Sequence, residues 1–136
     1  NWHDLLLQCC FDPRKPTLWL CEGVLQYLTP DKVTDIMQVI DSLSAPGSHL
    51  YADIYNPTLL RELNDTTQTT SYSGAYKSAY EYPETELFKG LQGTWSAAAT
   101  QIGEDQANFG RYMKKPTSRD TEAPRIYFVR GVKTRI

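Results

Sequence analysis

The apolar positions in the first half of the chain predict a strand, a helix and a second strand. Residues 17–21 form a continuous apolar run, which is typical of a strand buried on both faces of a parallel sheet. A helix should begin after Thr29, whose side chain can cap it, with Pro30 at its first position, because apolar residues then recur at intervals of three and four. Residues 49–55 read as the next strand. The connection is too long for a hairpin, so the segment is predicted to form a right-handed βαβ unit.

The second half predicts two further strands, at 95–102 and 125–133, which we expect to pair antiparallel at the edge of the sheet. Between them and the βαβ unit, a helix is expected to open at Pro57, and the polar stretch 64–73 reads as a loop or lid. Three tyrosines four positions apart would share one helical face, where packing is favoured over lining a substrate. They are Tyr72, Tyr76 and Tyr80.

Composition limits the classes of function that the chain can have. The 136 residues allow one domain with one core. A net charge of −2 gives no reason to expect nucleic acid as a partner, and no apolar run is long enough for a membrane span. The basic residues between positions 111 and 135 are interrupted by Asp120 and Glu122, so a solvated face is favoured for them.

Cysteine and histidine usage points to the compartment and argues against a metal centre. Three cysteines, of which Cys9 and Cys10 are adjacent, suit reduced thiols in the cytoplasm better than a disulfide framework. The two histidines, His3 and His49, are far apart and have no companions at the spacing of metal ligands, so no metal site is expected.

Two sequence segments carry a resemblance to a known family. Residues 11–28 read FDPRKPTLWLCEGVLQYL, and residues 43–48 read LSAPGS. Both resemble the leucine carboxyl methyltransferase family, which includes polyketide O-methyltransferases, and the closing strand 126–133 is similar to the terminal hairpin of that family. The match is strong over 11–48 and weak over 57–92.

The resemblance implies an α/β fold of the class I methyltransferase type. The chain would form the C-terminal half of a doubly wound, Rossmann-like sheet, a βαβ unit followed by an antiparallel pair, as one partial domain over residues 1–136. Residues 17–21 would then be the fourth strand and 49–55 the fifth. The first three strands and the "GxGxDTR" type of loop have no counterpart among these residues.

Candidate site residues follow from the position of the motif in an α/β sheet, where ligands bind beyond the carboxyl ends of the strands. Glu22 and Gly23 come at such an end, and the resemblance gives Glu22 a role in binding the cofactor, S-adenosylmethionine. A carboxylate that merely starts the next helix is the structural alternative. Tyr27, Asp53 and Tyr55 are candidates for binding the methyl acceptor, although Tyr27 is equally consistent with a core tyrosine. No residue is assigned a catalytic role.

The predicted function is S-adenosylmethionine-dependent O-methylation of a carboxyl or hydroxyl acceptor, with this chain as the C-terminal part of the enzyme. Because the cofactor needs elements that this chain lacks, the chain alone is expected to be inactive. The alternative is a non-catalytic, methyltransferase-like subunit of a larger assembly. In both cases the strand at 17–21 would be an exposed edge, which we expect an N-terminal half or a second copy to cover.

Overall fold

The computed structural model describes residues 1–66 and 74–135. It is an α/β fold with one four-stranded sheet. The strands are β1 Leu18–Cys21, β2 His49–Tyr55, β3 Thr94–Gln101 and β4 Ile126–Arg135. The helices are α1 Trp2–Gln8, α2 Pro30–Ser42, α3 Pro57–Thr66, α4 Pro83–Glu86 and α5 Asp105–Asn108. A 3-10 helix, Leu25–Tyr27, lies between β1 and α2.

The strand order in the sheet is β1-β2-β4-β3. β1 and β2 run parallel, with Cys21 opposite Ala52, and α2 connects them. β4 is antiparallel to both of its neighbours, β2 and β3. The predicted α/β class and the βαβ unit followed by an antiparallel pair are therefore confirmed.

The core lies on the face of the sheet that α2 covers. Val33, Met37 and Ile40 of α2 are almost completely buried there. They belong to one cluster with side chains from the two central strands, Leu50, Ala52, Ile54, Tyr127 and Val129. The apolar stripe predicted for α2 is therefore what holds this helix on the sheet, because burial of such side chains stabilises a fold by about 1.5–3 kcal/mol each.

The opposite face of the sheet is open at β1, which corrects the expectation of a strand buried on both faces. Leu18 and Leu20 are 66% and 65% exposed. Trp19 and Cys21, which alternate with them along β1, face the covered side and are partly buried. The prediction that β1 is buried on both faces was wrong, because no described element of this chain lies over Leu18 and Leu20. None of the helices within 1–66 and 74–135 is both long and apolar enough to cross a membrane.

Three local expectations need correction. Thr29 stands at the start of α2, but its side chain makes no capping hydrogen bond; its carbonyl accepts from the Val33 amide at 3.0 Å. α3 continues to Thr66, beyond the predicted start of the loop at residue 64, while the rest of that loop lies outside the described residues. Tyr76 and Tyr80 lie in an irregular segment and share no helical face, and Tyr72 is outside the described residues.

Two of the basic residues near the end of the chain are buried, although the sequence predicted that these residues form a solvated face. Arg125 and Lys133 are 3% and 4% exposed. The Lys133 ammonium lies 2.9 Å from the Asp41 carboxylate, which also accepts hydrogen bonds from the Trp95 indole and the Gly93 amide. The prediction was wrong at Arg125 and Lys133 because the sequence does not show whether a charged side chain will find a hydrogen-bond or ion-pair partner inside the fold.

Candidate functional site

The predicted site residues lie at one end of the parallel strands. Glu22 and Gly23 follow β1 directly, and Asp53 and Tyr55 are at the carboxyl end of β2. Cys21 and Ala52 are the last residues that pair between β1 and β2, and Glu22 and Asp53 lie just beyond that pair. The two parallel strands thus bring these side chains to the edge at which an open α/β sheet binds ligands.

Asp53 holds the turn that leaves β1. Its carboxylate accepts a hydrogen bond from the Gly23 amide, with 2.6 Å between nitrogen and oxygen. Gly23 has a φ of +62°, in the left-handed region, and a side chain at this position would meet nothing within 4 Å. Glycine is favoured by this backbone geometry, and it leaves open space beside the turn.

Glu22 faces solvent beside that turn. The residue is exposed, and among the described residues its carboxylate makes no hydrogen bond or ion pair. Its charge is therefore available for a ligand that carries an ammonium group.

Three tyrosines from separate segments meet next to Asp53. The rings of Tyr27 and Tyr76 are 5.2 Å apart between centroids, and those of Tyr76 and Tyr55 are 5.4 Å apart. Tyr27 ends the 3-10 helix and is 45% exposed, whereas Tyr55 and Tyr76 are half-buried. We call Tyr27, Tyr55 and Tyr76 the tyrosine cluster.

The hydroxyl groups of Tyr27 and Tyr55 remain protonated at neutral pH. The pKa of Tyr27 is raised, first by its hydrogen bond with Tyr76 and to a smaller extent by the negative charge of Asp53. Burial is the main cause that raises the pKa of Tyr55, and the charge of Asp53 adds to it. An ordinary tyrosine already has a pKa near 10, so neither group is a general base at neutral pH; each is a hydrogen-bond donor.

Gln26 lies beneath the cluster and is almost completely buried, at 2% exposure. Its side chain hydrogen-bonds to the Tyr55 hydroxyl, in the direction that lowers the pKa of that phenol. Its carbonyl oxygen, Oε1, has no hydrogen-bond partner among the described residues. The backbone of Gln26 anchors the loop that carries Tyr76, because its main-chain oxygen accepts from the Lys77 amide at 2.7 Å.

The structure brings all five predicted residues to one end of the sheet, and Asp53 links them. It contacts Gly23 directly, and its charge acts on Tyr27 and Tyr55. Their individual roles remain predictions. Two further members were missed. The spacing of Tyr76 suggested a helix, which the described residues from 74 to 82 do not form. Gln26 gave no signal because a glutamine between two apolar residues reads as an ordinary surface position.

Comparison with known proteins gives this geometry a context. Residues 1–41, which include α1, β1 and the Glu22–Gly23 turn, match the family model for leucine carboxyl methyltransferase. Over these residues, the chain is similar to the leucine carboxyl methyltransferases. The resemblance read from the sequence is therefore confirmed.

Individual relatives extend the match along the chain. A Mycolicibacterium gilvum protein, named as an S-adenosyl-L-methionine-dependent methyltransferase, is 46% identical over 50 residues, 37% of this chain and 17% of its own. A Frankia alni protein with the same type of name is 27% identical over 122 residues, 88% of this chain and 41% of its own. The chain thus spans less than half the length of these curated relatives.

A solved structure has the same fold. A crystal structure from Thermobifida fusca, titled as a methyltransferase, superposes with a TM-score of 0.61 over 98% of this chain and 52% of its own, at 19% identity. At that identity the similarity concerns the fold alone. The fold of this chain therefore corresponds to about half of that larger structure.

Proposed function

We propose that this chain is the C-terminal part of an S-adenosylmethionine-dependent O-methyltransferase whose acceptor carries a carboxyl or hydroxyl group. The observation that carries the proposal is the Glu22–Gly23 turn, held by Asp53 at the carboxyl end of the parallel strands. Support comes from the methyltransferase names of the relatives and from the family match over residues 1–41.

The residues at this turn fit one end of the cofactor. The free carboxylate of Glu22 would bind the ammonium group of S-adenosylmethionine, and the open space beside Gly23 would let the ligand approach the backbone. When bound, the cofactor supplies an electrophilic methyl group that is already activated. The contribution of the protein is then to orient the acceptor oxygen and to exclude water.

The other cofactor contacts would come from elements outside these 136 residues, since the sequence contains no glycine-rich loop of the methyltransferase type. On this proposal an N-terminal half, or a second copy of the chain, covers β1 and completes the site. β1 is the edge strand of the described sheet, and its exposed leucines suit such a contact. The three free thiols suit a cytoplasmic location for the complex.

The second candidate is a non-catalytic subunit, and the same exposed edge favours it. Leu18 and Leu20 would then serve assembly alone, and the turn at Gly23 would be inherited without a ligand.

Calorimetric titration with S-adenosylmethionine separates the two candidates. We expect no binding to the 136-residue chain alone, and binding after it forms a complex with the N-terminal part of the Frankia alni relative. Glu22→Gln should weaken that binding at least tenfold, since a hydrogen bond to a charged group contributes about 1.5–3 kcal/mol. Glu62→Gln, an exposed carboxylate on α3, is the matched control. A stable complex that binds no cofactor would favour the structural subunit.

A further inference from the structure

The open face of the sheet bears a cavity that the candidate site does not use. Its volume is about 600 Å³, within the range of about 300–1,000 Å³ that is usual for sites of small ligands. Its walls come from β3, β4, α5 and the segment after α5, together with Tyr51 of β2. None of its lining residues belongs to β1 or to the Glu22–Gly23 turn. A ligand bound here would therefore be separate from the cofactor proposed above.

Four aromatic side chains give this cavity flat apolar walls. Tyr51 and Phe128 project from the two central strands on the side opposite the core. Phe109 and Tyr112 come from the segment after α5, and all four side chains are exposed. Exposed aromatic rings around a concave surface are typical of a site for a planar apolar group.

The segment after α5 holds Phe109 at the cavity in an unfavourable backbone conformation. Phe109 has a φ of +49°, in the left-handed region that residues with a Cβ rarely adopt, and it is 83% exposed. The Asn108 side chain closes this segment, because it accepts from the Tyr112 amide at 2.7 Å and donates to the Tyr112 carbonyl at 2.9 Å. Conformations of this kind cluster at ligand sites, where the surrounding structure maintains them.

Two arginines give the cavity a positive charge. Arg130 of β4 lies opposite Tyr51 in the sheet, and Arg111 belongs to the segment after α5. Neither guanidinium makes an ion pair or a hydrogen bond with any residue that the structure describes. In contrast, Arg14 and Arg119 are each held by a carboxylate, at 2.9 and 2.8 Å.

The ligand that satisfies both arginines is an anion. Among the described residues that line the cavity there is no aspartate or glutamate, so the protein does not neutralise this charge itself. A guanidinium binds a carboxylate through two parallel hydrogen bonds, which fix the orientation of the anion. The aromatic walls then contact whatever group carries that carboxylate.

We propose that this cavity binds a planar aromatic carboxylate, whose anionic group pairs with Arg111 and Arg130 and whose ring packs against Phe109 and Phe128. The site goes beyond the proposed function, since it shares no residue with the turn that would hold the cofactor. It lies on the β3 side of the sheet, so a partner that pairs with β1 does not need to fill it.

Two naphthalene probes of nearly the same shape test the role of the charge. 2-Naphthoate carries a carboxylate, and 2-naphthamide carries a neutral amide in its place. The 136-residue chain is labelled with ¹³C on its phenylalanine rings and titrated with each probe, and NMR reports binding at each ring. We expect 2-naphthoate to shift the signals of Phe109 and Phe128, with a Kd at least about tenfold lower than that of 2-naphthamide, because its hydrogen bonds to the arginines are charge-assisted on both sides.

The remaining two phenylalanines serve as internal controls. Phe11 packs on Trp19 and Phe88 packs on Trp95, and neither lines the cavity. Their signals should not move with either probe. Phe→Leu variants assign all four signals.

Replacement of each arginine by methionine identifies the groups responsible. Arg111→Met and Arg130→Met remove a charge and keep an unbranched side chain, so each should raise the Kd of 2-naphthoate by about fivefold or more and that of 2-naphthamide by no more than about twofold. Both arginines are exposed, so these changes should leave the fold intact. Arg135→Met is the matched control, because Arg135 is an exposed arginine of the same strand that does not line the cavity. It should change neither Kd.

Equal affinity for the two probes would overturn the proposal, as would equal effects of Arg130→Met and Arg135→Met. The absence of shifts at Phe109 and Phe128 with millimolar 2-naphthoate would overturn it as well. The outcome is independent of the titration with S-adenosylmethionine. If 2-naphthoate binds as expected and the assembled protein binds no cofactor, the anion site stands and the methyltransferase function fails.

Discussion

A single carboxylate organises the candidate site. Asp53 accepts a hydrogen bond from the Gly23 amide at 2.6 Å and places its charge near Tyr27 and Tyr55. The sequence assigned Asp53 to the acceptor, but the contact it makes is with the Gly23 turn, which the sequence assigned to the cofactor. It therefore acts first as a positioning residue for Glu22 and Gly23.

Replacement of Asp53 by alanine should free the Gly23 turn. We expect hydrogen exchange of the Gly23 amide to accelerate at least tenfold, because a hydrogen bond to a charged group contributes about 1.5–3 kcal/mol and a factor of ten corresponds to about 1.4 kcal/mol. Asp53→Asn is the control, because it retains an acceptor oxygen and should exchange nearly as slowly as the unmodified chain. Equal exchange in all three proteins would show that the turn is rigid without this bond.

Asp41 makes the stability of the fold depend on pH. Burial raises the pKa of Asp41. The hydrogen bonds from Gly93 and Trp95 and the Lys133 ammonium together lower it by more, so the net shift is downward from 3.8. A carboxyl group with a depressed folded pKa stabilises the protein fully above its unfolded pKa. This contribution is lost as the pH falls below 3.8 and through the folded pKa.

Asp41→Asn should lower the free energy of unfolding at pH 7 by about 3–5 kcal/mol, because it leaves the Lys133 charge buried without its partner. The difference from the unmodified chain should shrink below pH 3.8, where Asp41 itself becomes protonated. Urea unfolding between pH 2.5 and 7 measures both effects. Asp31→Asn, an exposed change in the first turn of α2, should cost no more than about 1 kcal/mol. A constant difference across this range would contradict the role of Asp41.

At the scale of elements, a glycine in β4 allows a neighbouring segment to pack closely on the middle of the sheet. Gly131 lies opposite Leu50 on β2 and Ala97 on β3. A methyl group added to it would approach the Phe88 ring to within 2.6 Å. The absence of a side chain therefore lets the segment after α4 pack directly on the central strand.

Gly131→Ala should lower the free energy of unfolding by about 1–3 kcal/mol, because the added methyl overpacks the contact with Phe88. When Phe88 is already replaced by leucine, Gly131→Ala should lower the free energy of unfolding by no more than half as much as it does in the unmodified chain. Ser96→Ala, an exposed change on β3, should stay within about 0.5 kcal/mol. Thermal and urea unfolding decide this, and a neutral Gly131→Ala would show that Phe88 moves aside freely.

The elements were predictable from sequence because their signals are local. Apolar spacing indicated α2, and apolar runs indicated the strands, including the pairing of β3 with β4. The proximity of Glu22 to Asp53 followed from parallel strand ends. The position of Tyr76 could not be predicted, since it depends on an irregular segment anchored to the Gln26 carbonyl. The burial of Lys133 depends on Asp41, 92 positions away, and that of Arg125 depends on the fold of the segment 118–123, whose carbonyls accept hydrogen bonds from its guanidinium.

At the scale of the whole molecule, the open face of the sheet dominates. Leu18, Leu20, Tyr51 and Phe128 are all at least 36% exposed, and the alternation of their strands places them on the side opposite the core. The chain spans only 52% of the structure that shares its fold. On the proposed function, this face is where the remainder of the methyltransferase domain packs.

Leu18→Lys should reduce self-association of the isolated chain, because a charge on an exposed edge strand opposes pairing with another chain. The free energy of unfolding should change by no more than about 0.5 kcal/mol, since Leu18 is 66% exposed. Sedimentation velocity at several concentrations measures the effect. Ala98→Lys adds the same charge at the far edge of the sheet and should leave association unchanged. Equal effects of the two variants would place the contact elsewhere.

The position of β4 has a consequence for synthesis on the ribosome. β4 is the last in sequence of the four described strands, yet it separates β2 from β3 in the sheet. Until it has left the exit tunnel, β3 has no strand to pair with, and β2 is hydrogen-bonded on one side only. At roughly 5–20 residues per second, the segment 56–125 between β2 and β4 takes several seconds to make. The nascent chain therefore carries one unpaired edge of β2 throughout that interval and an unpaired β3 during the last part of it, and a pause in translation just before β4 would lengthen its exposure to chaperones and proteases.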